Sequence, residues 1–261
     1  MSTTTLRFIG TASYAPPPGQ DTACCLINDC LMLDCGWDAG MLMRHFDCEP
    51  GDLEYLLITH CHFDHIYGLP QLLMWRRMQR RSGRDRPLTI VGPAPDIEHA
   101  VAQAIHFLNA DPSMRGDWGV RVVALQAGEG LEAPAFAVRT CGAAHWPTAL
   151  CYAVTDLRSG VQIAFTGDTA YTPELAPLAK GSDVLIHEVA AGPAERAPRD
   201  VPPGHSGVLD AVQVAQEAGA KRLYLVHCDE PDLSRSVEIA RRAFAETYRP
   251  EQGVPVVLSR D

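Results

Sequence analysis

Residues 59–65 read Thr-His-Cys-His-Phe-Asp-His. Three imidazoles and a carboxylate within six positions make a dense set of metal ligands, because imidazole nitrogen and carboxylate oxygen are donors that Zn²⁺ and similar ions prefer. The set directly follows Tyr55-Leu56-Leu57-Ile58, an apolar run that reads as a buried strand. Spacing divides it. His60 and His62 can point to one side of an extended segment, while Asp64 and His65, on the first turn of the next helix, can face a second centre. Two centres need more ligands than one loop supplies. His145 and His227 follow or end strand-like runs, and Asp168 sits in the tight turn Thr166-Gly167-Asp168-Thr169, where its carboxylate is free to bridge. A dinuclear site accounts for all of them at once.

The elements that must position these residues are legible as short runs. Strand-like segments fall at 6–9, 24–27, 31–33 and 55–59, with helical patterns at 68–81 and 96–108 around a strand at 88–91. Strands at 120–125, 136–140, 150–155 and 161–166 follow. Then helices at 173–180, 206–218 and 232–247 alternate with strands at 183–187, 222–226 and 254–258. Each half runs strands and then helices. The expected architecture is an α/β fold with two sheets face to face and helices outside, in one domain over residues 1–261.

Acidic residues outnumber basic ones 32 to 22, for a net charge of −10. That balance argues against a long nucleic acid as partner, since such binding rests on many Lys and Arg contacts to phosphates. A small, anionic substrate is expected instead. One local exception is Arg76, Arg77, Arg80, Arg81, Arg84 and Arg86, which read either as a solvated helix end or as a patch for an anion. No apolar run approaches the ~18–20 residues needed to cross a bilayer, so no membrane partner is expected. The opening residues lack the basic segment and apolar core of a secretory signal, and nine cysteines fit reduced thiols, so a cytoplasmic location is expected. A homodimer is left open. His45, His99 and His106 read as surface positions on helices, His106 with Phe107 as a candidate pocket lining, His187 as strand core, and Cys228 as a small buried hydrophobe.

With these residues in view, the sequence resembles the metallo-β-lactamase superfamily, whose HxHxDH loop is matched at 60–65. Within it, the chain is most similar to the RNase Z and small-phosphodiesterase branch, through HCHFDHIYGLP at 60–70, TGDT at 166–169, DVLIHE at 183–188, His205-Ser206 and the run 225–227. The resemblance implies a four-layer αββα sandwich with metals at one edge between the sheets. It places His60, His62 and His145 on one ion, Asp64, His65 and His227 on the other, and Asp168 between them. The ions implied are two divalent metals, zinc foremost, with manganese or iron as substitutes. It also gives Asp64 the role of accepting the proton of the attacking water, and gives His205 with Glu188 the role of protonating the leaving group. Both motifs around that pair are partial matches.

The branch's tRNA-processing members carry a protruding arm between the third metal histidine and the bridging aspartate. Here His145 and Asp168 are 23 positions apart, which leaves no room for it. The expectation is therefore metal-dependent hydrolysis of a small phosphodiester or cyclic phosphate. A carboxylic ester, lactone, thioester, β-lactam or sulfate ester is the alternative, because the same core serves all of them. A tRNA 3′ endonuclease and a non-catalytic metal-binding module are weaker readings.

Overall fold

The computed structural model describes residues 2–80, 86–108, 116–194, 196, 204–229 and 232–260. The N-terminal part runs β1 (Thr4–Gly10), β2 (Cys24–Ile27), β3 (Leu31–Leu33), α1 (Ala39–His45), β4 (Tyr55–Leu57), α2 (Phe63–Ile66), α3 (Leu69–Arg80), β5 (Leu88–Pro93), α4 (Asp96–Leu108) and β6 (Val120–Leu125). The rest runs β7 (Gly130–Glu132), β8 (Phe136–Gly142), β9 (Leu150–Asp156), β10 (Gln162–Phe165), α5 (Leu175–Leu178), β11 (Val184–Glu188), α6 (Val208–Ala218), β12 (Leu223–Val226), α7 (Asp232–Arg241), β13 (Thr247–Tyr248) and β14 (Pro255–Leu258). Two seven-stranded sheets result, ordered β14-β1-β2-β3-β4-β5-β6 and β13-β12-β11-β10-β9-β8-β7.

The strands are apolar on both faces because both faces are covered. Leu31 and Leu33 of β3 point into the core between the sheets, whereas Met32 packs outward under α1 and α3. On β11, Val184 and Ile186 point inward and Leu185 packs outward against α6. Alternation with a period of two thus feeds three apolar layers, one between the sheets and one under each set of helices. The architecture is the expected four-layer α/β sandwich. None of the helices among the described residues is long and apolar enough to cross a membrane.

Several expected boundaries move. The strand expected at 55–59 ends at Leu57: the Ile58 amide still donates to Val91 O of β5, but the Thr59 amide turns to the Asp34 carboxylate. The helix expected to reach 247 stops at Arg241. Arg241 Nε donates to Thr247 O at 2.8 Å, and Thr247 and Tyr248 pair with β12 as a short strand. Strand β7, with its single half-buried leucine, gave no apolar run to read.

The arginine run also resolves into pairs. Arg76 is buried and donates to Pro50 O and Arg86 O, Arg77 bonds Asp117 O and lies over the Trp118 ring, Arg80 pairs with Asp117 and Arg86 with Glu54. These contacts tie α3 to its neighbours. Arg81 and Arg84 lie outside the described residues.

Candidate metal centre

Strands β3 to β6 are parallel to one another, as are β10 to β12, so their C-terminal ends open at common edges. Ligands in such sheets gather outside those ends. The loop after β4 carries His60, His62, Asp64 and His65; the turn after β10 carries Asp168; β11 ends on Glu188 and β12 leads into His227. The β8–β9 loop brings His145 to the same edge. Leu150 N–H donates to Thr59 O at 2.9 Å and Tyr152 Oη–H to Ile58 O at 2.8 Å, which joins the two sheets beside the site.

The seven residues form two clusters that share one member. Ligand atoms of His60, His62, His145 and Asp168 lie within 4.8 Å of one another, and so do those of Asp64, His65, Asp168 and His227. In the first cluster His62 Nδ1 is 3.0 Å from His60 Nε2 and 3.2 Å from His145 Nε2. In the second, His227 Nε2 is 3.1 Å from Asp64 Oδ2 and 3.4 Å from Asp168 Oδ1, and His65 Nε2 is 3.4 Å from Asp168 Oδ2. Donor atoms around a tetrahedral ion at 2.0–2.1 Å stand roughly 3.3 Å apart. Buried His65 Nε2 and Asp168 Oδ1 form no hydrogen bond, although each has oppositely charged neighbours. Orphaned donors at that spacing, all imidazole or carboxylate, fit a divalent ion in each cluster.

Electrostatics favour the same state. Burial, above all, holds His60, His62 and His145 below the ordinary histidine range, so their nitrogens keep lone pairs free. For Asp168, burial opposes ionisation, yet His227 and His65 outweigh it and hold the carboxyl well below its usual range. At His65 burial is outweighed in turn by Asp168 and Asp34, which favour the charged ring. An ion held there by His65 would have to displace a proton from the ring.

Supporting contacts fix the ligands. Asp34, fully buried, accepts from His65 Nδ1 at 2.8 Å and from the Thr59 amide and hydroxyl. His145 Nδ1 lies 2.6 Å from Gly204 O, and His227 holds φ of +59° with its amide on Thr11 O. A strained backbone at a non-glycine residue persists only where its surroundings impose it. Sequence reading gave no role to Asp34 or Gly204. One aspartate after a strand looks like any turn residue, and a carbonyl has no side chain to read.

Beside the clusters, His205 Nδ1 is 2.9 Å from Glu188 Oε1, and the Glu188 carboxylate also accepts the amides of Thr169 and Ala190. Burial works against charge on His205, but Glu188 outweighs it and raises the ring above its ordinary range. Glu188, His205 and His227 form a third convergent group. His187 is strand core, its Nδ1 on Glu188 O, and Cys228 packs in the apolar layer under α6 and α7. His45, His99 and His106 are exposed.

The fold and this edge site are those of a metallo-β-lactamase-type protein. Residues 30–228 match the family described as "Beta-lactamase superfamily domain", and the chain belongs to that family. Among its relatives is "Ribonuclease BN" of Cronobacter sakazakii, 27% identical, with 92% of this chain and 93% of the relative covered. "Ribonuclease Z" of Streptococcus equi subsp. zooepidemicus is 29% identical over 88% of this chain and 91% of its own. The metallo-β-lactamase fold protein YhfI of Bacillus subtilis superposes with a TM-score of 0.80 at 22% identity, covering 99% and 100% of the two chains. The chain is thus a metal-dependent hydrolase of the RNase Z-like branch of the superfamily.

Proposed function

We propose that this chain hydrolyses a small phosphodiester or cyclic phosphate at a centre of two divalent ions, zinc foremost. His60, His62 and His145 would hold one ion, Asp64, His65 and His227 the other, with Asp168 shared. Bound there, such ions lower the pKa of water toward neutrality and polarise the phosphoryl group. Asp64 takes the proton of the attacking water, whose oxygen joins phosphorus as the ester P–O bond breaks. His205 gives the leaving alkoxide a proton from Nε2, because its Nδ1 is engaged by Glu188.

The observation that carries this reading is the His205–Glu188 pair: a partly exposed imidazole held toward its charged form by a buried carboxylate, beside the ligand clusters. Such a donor matches an alkoxide leaving group. A transfer RNA fits less well. The Cronobacter alignment runs over 300 positions to which this chain contributes 92% of its 261 residues, so the relative has several tens of residues with no counterpart here. Between His145 and Asp168 the chain has only β9 and β10 with their turn.

The test is a panel of bis(p-nitrophenyl) phosphate, p-nitrophenyl acetate, p-nitrophenyl sulfate and nitrocefin on purified protein, with metal content measured alongside. Rapid cleavage of the diester alone supports the reading. Cleavage of the acetate or nitrocefin with an inert diester moves the assignment to acyl substrates.

A further inference from the structure

Behind the metal loop lies a groove of about 1040 Å³ whose character differs from that of the site. Alternate residues of one segment serve the two: His60, His62 and Asp64 belong to the ligand clusters, whereas Cys61 and Phe63 line the groove. Its floor is aliphatic, with Ile66, Leu69, Met74 and Met78 from α2 and α3 facing Ala104 and Leu108 of α4. Among the described residues that line it, Asp38 is the one that carries a charge.

Its mouth is a set of aromatic rings left in solvent. Trp37 is 40% exposed, Phe63 49% and Tyr67 59%, although the three rings pack together at 4.9–5.9 Å. On the other side of the loop Trp146, 70% exposed, lies 6.1 Å from the His62 ring. Exposed aromatic rings therefore flank His62, with Trp146 beside its ring and Phe63, the next residue in sequence, at the mouth of the groove. Contiguous exposed apolar surface of this kind marks a binding site, and the volume is that of a small-molecule pocket.

Charge selects the occupant. With one carboxylate and no cation among its described lining residues, the groove favours an uncharged occupant over an anion. The anionic part of a substrate belongs at the ions, and what extends into the groove must be uncharged and apolar. Two methionines make its wall adaptable to a flexible chain. Resting on the phosphodiester reading, we propose that the substrate carries a long alkyl arm on its phosphate, and that this arm lies across Phe63 in the groove between α3 and α4.

A ladder of p-nitrophenyl alkyl phosphates from methyl to decyl tests it on the metal-loaded protein. In each, water's oxygen joins phosphorus, p-nitrophenolate leaves and the alkyl phosphate is the second product. Each methylene buried favours binding, so kcat/KM should rise about tenfold or more from methyl to decyl. Ala100→Trp and Gln103→Trp, two separate substitutions on the groove side of α4, should each cut the decyl-to-methyl ratio to about threefold or less. Calorimetric titration with decyl phosphate should show saturable binding that both variants weaken. Turnover with a flat ladder, or a ladder that both variants leave intact, overturns the groove proposal and leaves the phosphodiester reading standing. No turnover at any length, with decyl phosphate still bound in a variant-sensitive way, supports the groove and overturns that reading. Absence of decyl phosphate binding, with a dimer in sedimentation that the Trp variants dissociate, gives the groove to a second copy of the chain and overturns the proposal.

Discussion

The carboxylate of Asp34 touches no candidate ion yet decides what His65 can donate. It accepts from His65 Nδ1, leaving Nε2 toward the cluster. In Asp34→Asn, the amide oxygen can still serve Thr59, but the NH₂ then faces Nδ1 and drives the proton to Nε2. Zinc affinity should fall about 10–100-fold, read by competition with a chromophoric chelator; unchanged affinity would show that His65 is oriented by packing alone. At the ligands themselves, Asp64→Ala and His62→Ala should each remove activity by about a hundredfold or more, whereas His99→Ala, on the exposed face of α4, should change little. His205→Ala separates chemistry from binding. p-Nitrophenolate leaves without a proton, so the variant should keep much of its rate on bis(p-nitrophenyl) phosphate and lose about 10²–10⁴-fold on an alkyl or nucleoside diester. Equal losses on both would make His205 a positioning residue. Four of the seven candidate ligands were legible because they crowd one short loop, and His145, Asp168 and His227 because the family resemblance picks them out. Asp34 was not, since its role depends on β3 and β4 lying side by side.

Elements carry the same lesson. Strands and long helices announced themselves by periodicity, but β7 and β13 are short and take their conformation from a neighbouring strand, so their residues carried no pattern. The groove was legible only at Phe107, which with His106 reads as a pocket lining and does line it; Phe63 and Trp37 are distant in sequence, and only the fold brings their rings together. The turn after β10 depends on a glycine. Gly167 has φ of +55°, and a Cβ there would meet the Thr59 side chain at 2.6 Å. Thr59 is also the residue that holds Asp34 and precedes His60. Gly167→Ala should therefore cost about 1–3 kcal/mol in urea unfolding and weaken ion binding as well. Gly181→Ala has a similar φ of +66° with nothing within 4 Å. It should cost about 1 kcal/mol and leave ion binding alone.

For the whole molecule, pH acts through a carboxyl outside the two ligand clusters. Asp21 is fully buried between β1 and the start of α1, where its carboxylate accepts the amides of Thr22 and Asp38. Burial, first of all, raises its pKa from 3.8 to about 6. The folded chain then binds more protons than the unfolded one between those values, so Asp21 contributes less stability as pH rises from about 4 to about 6. The stability of the wild type relative to Asp21→Asn should fall over that interval in urea titrations; a flat difference would mean that the carboxylate stays charged. Both sheets hold ligands, so a chelator should lower the melting temperature, and added zinc should restore it. That division has a consequence for how the protein is made. The first sheet supplies His60, His62, Asp64 and His65, while His145, Asp168 and His227 arrive with the second, and β1 takes its neighbour β14 from residues 255–258. A ribosome must therefore deliver the chain as far as Asp168 before the first pocket can close, and as far as His227 before the second can. In sequence order the pocket of His60, His62, His145 and Asp168 is complete 59 residues before the one that needs His227.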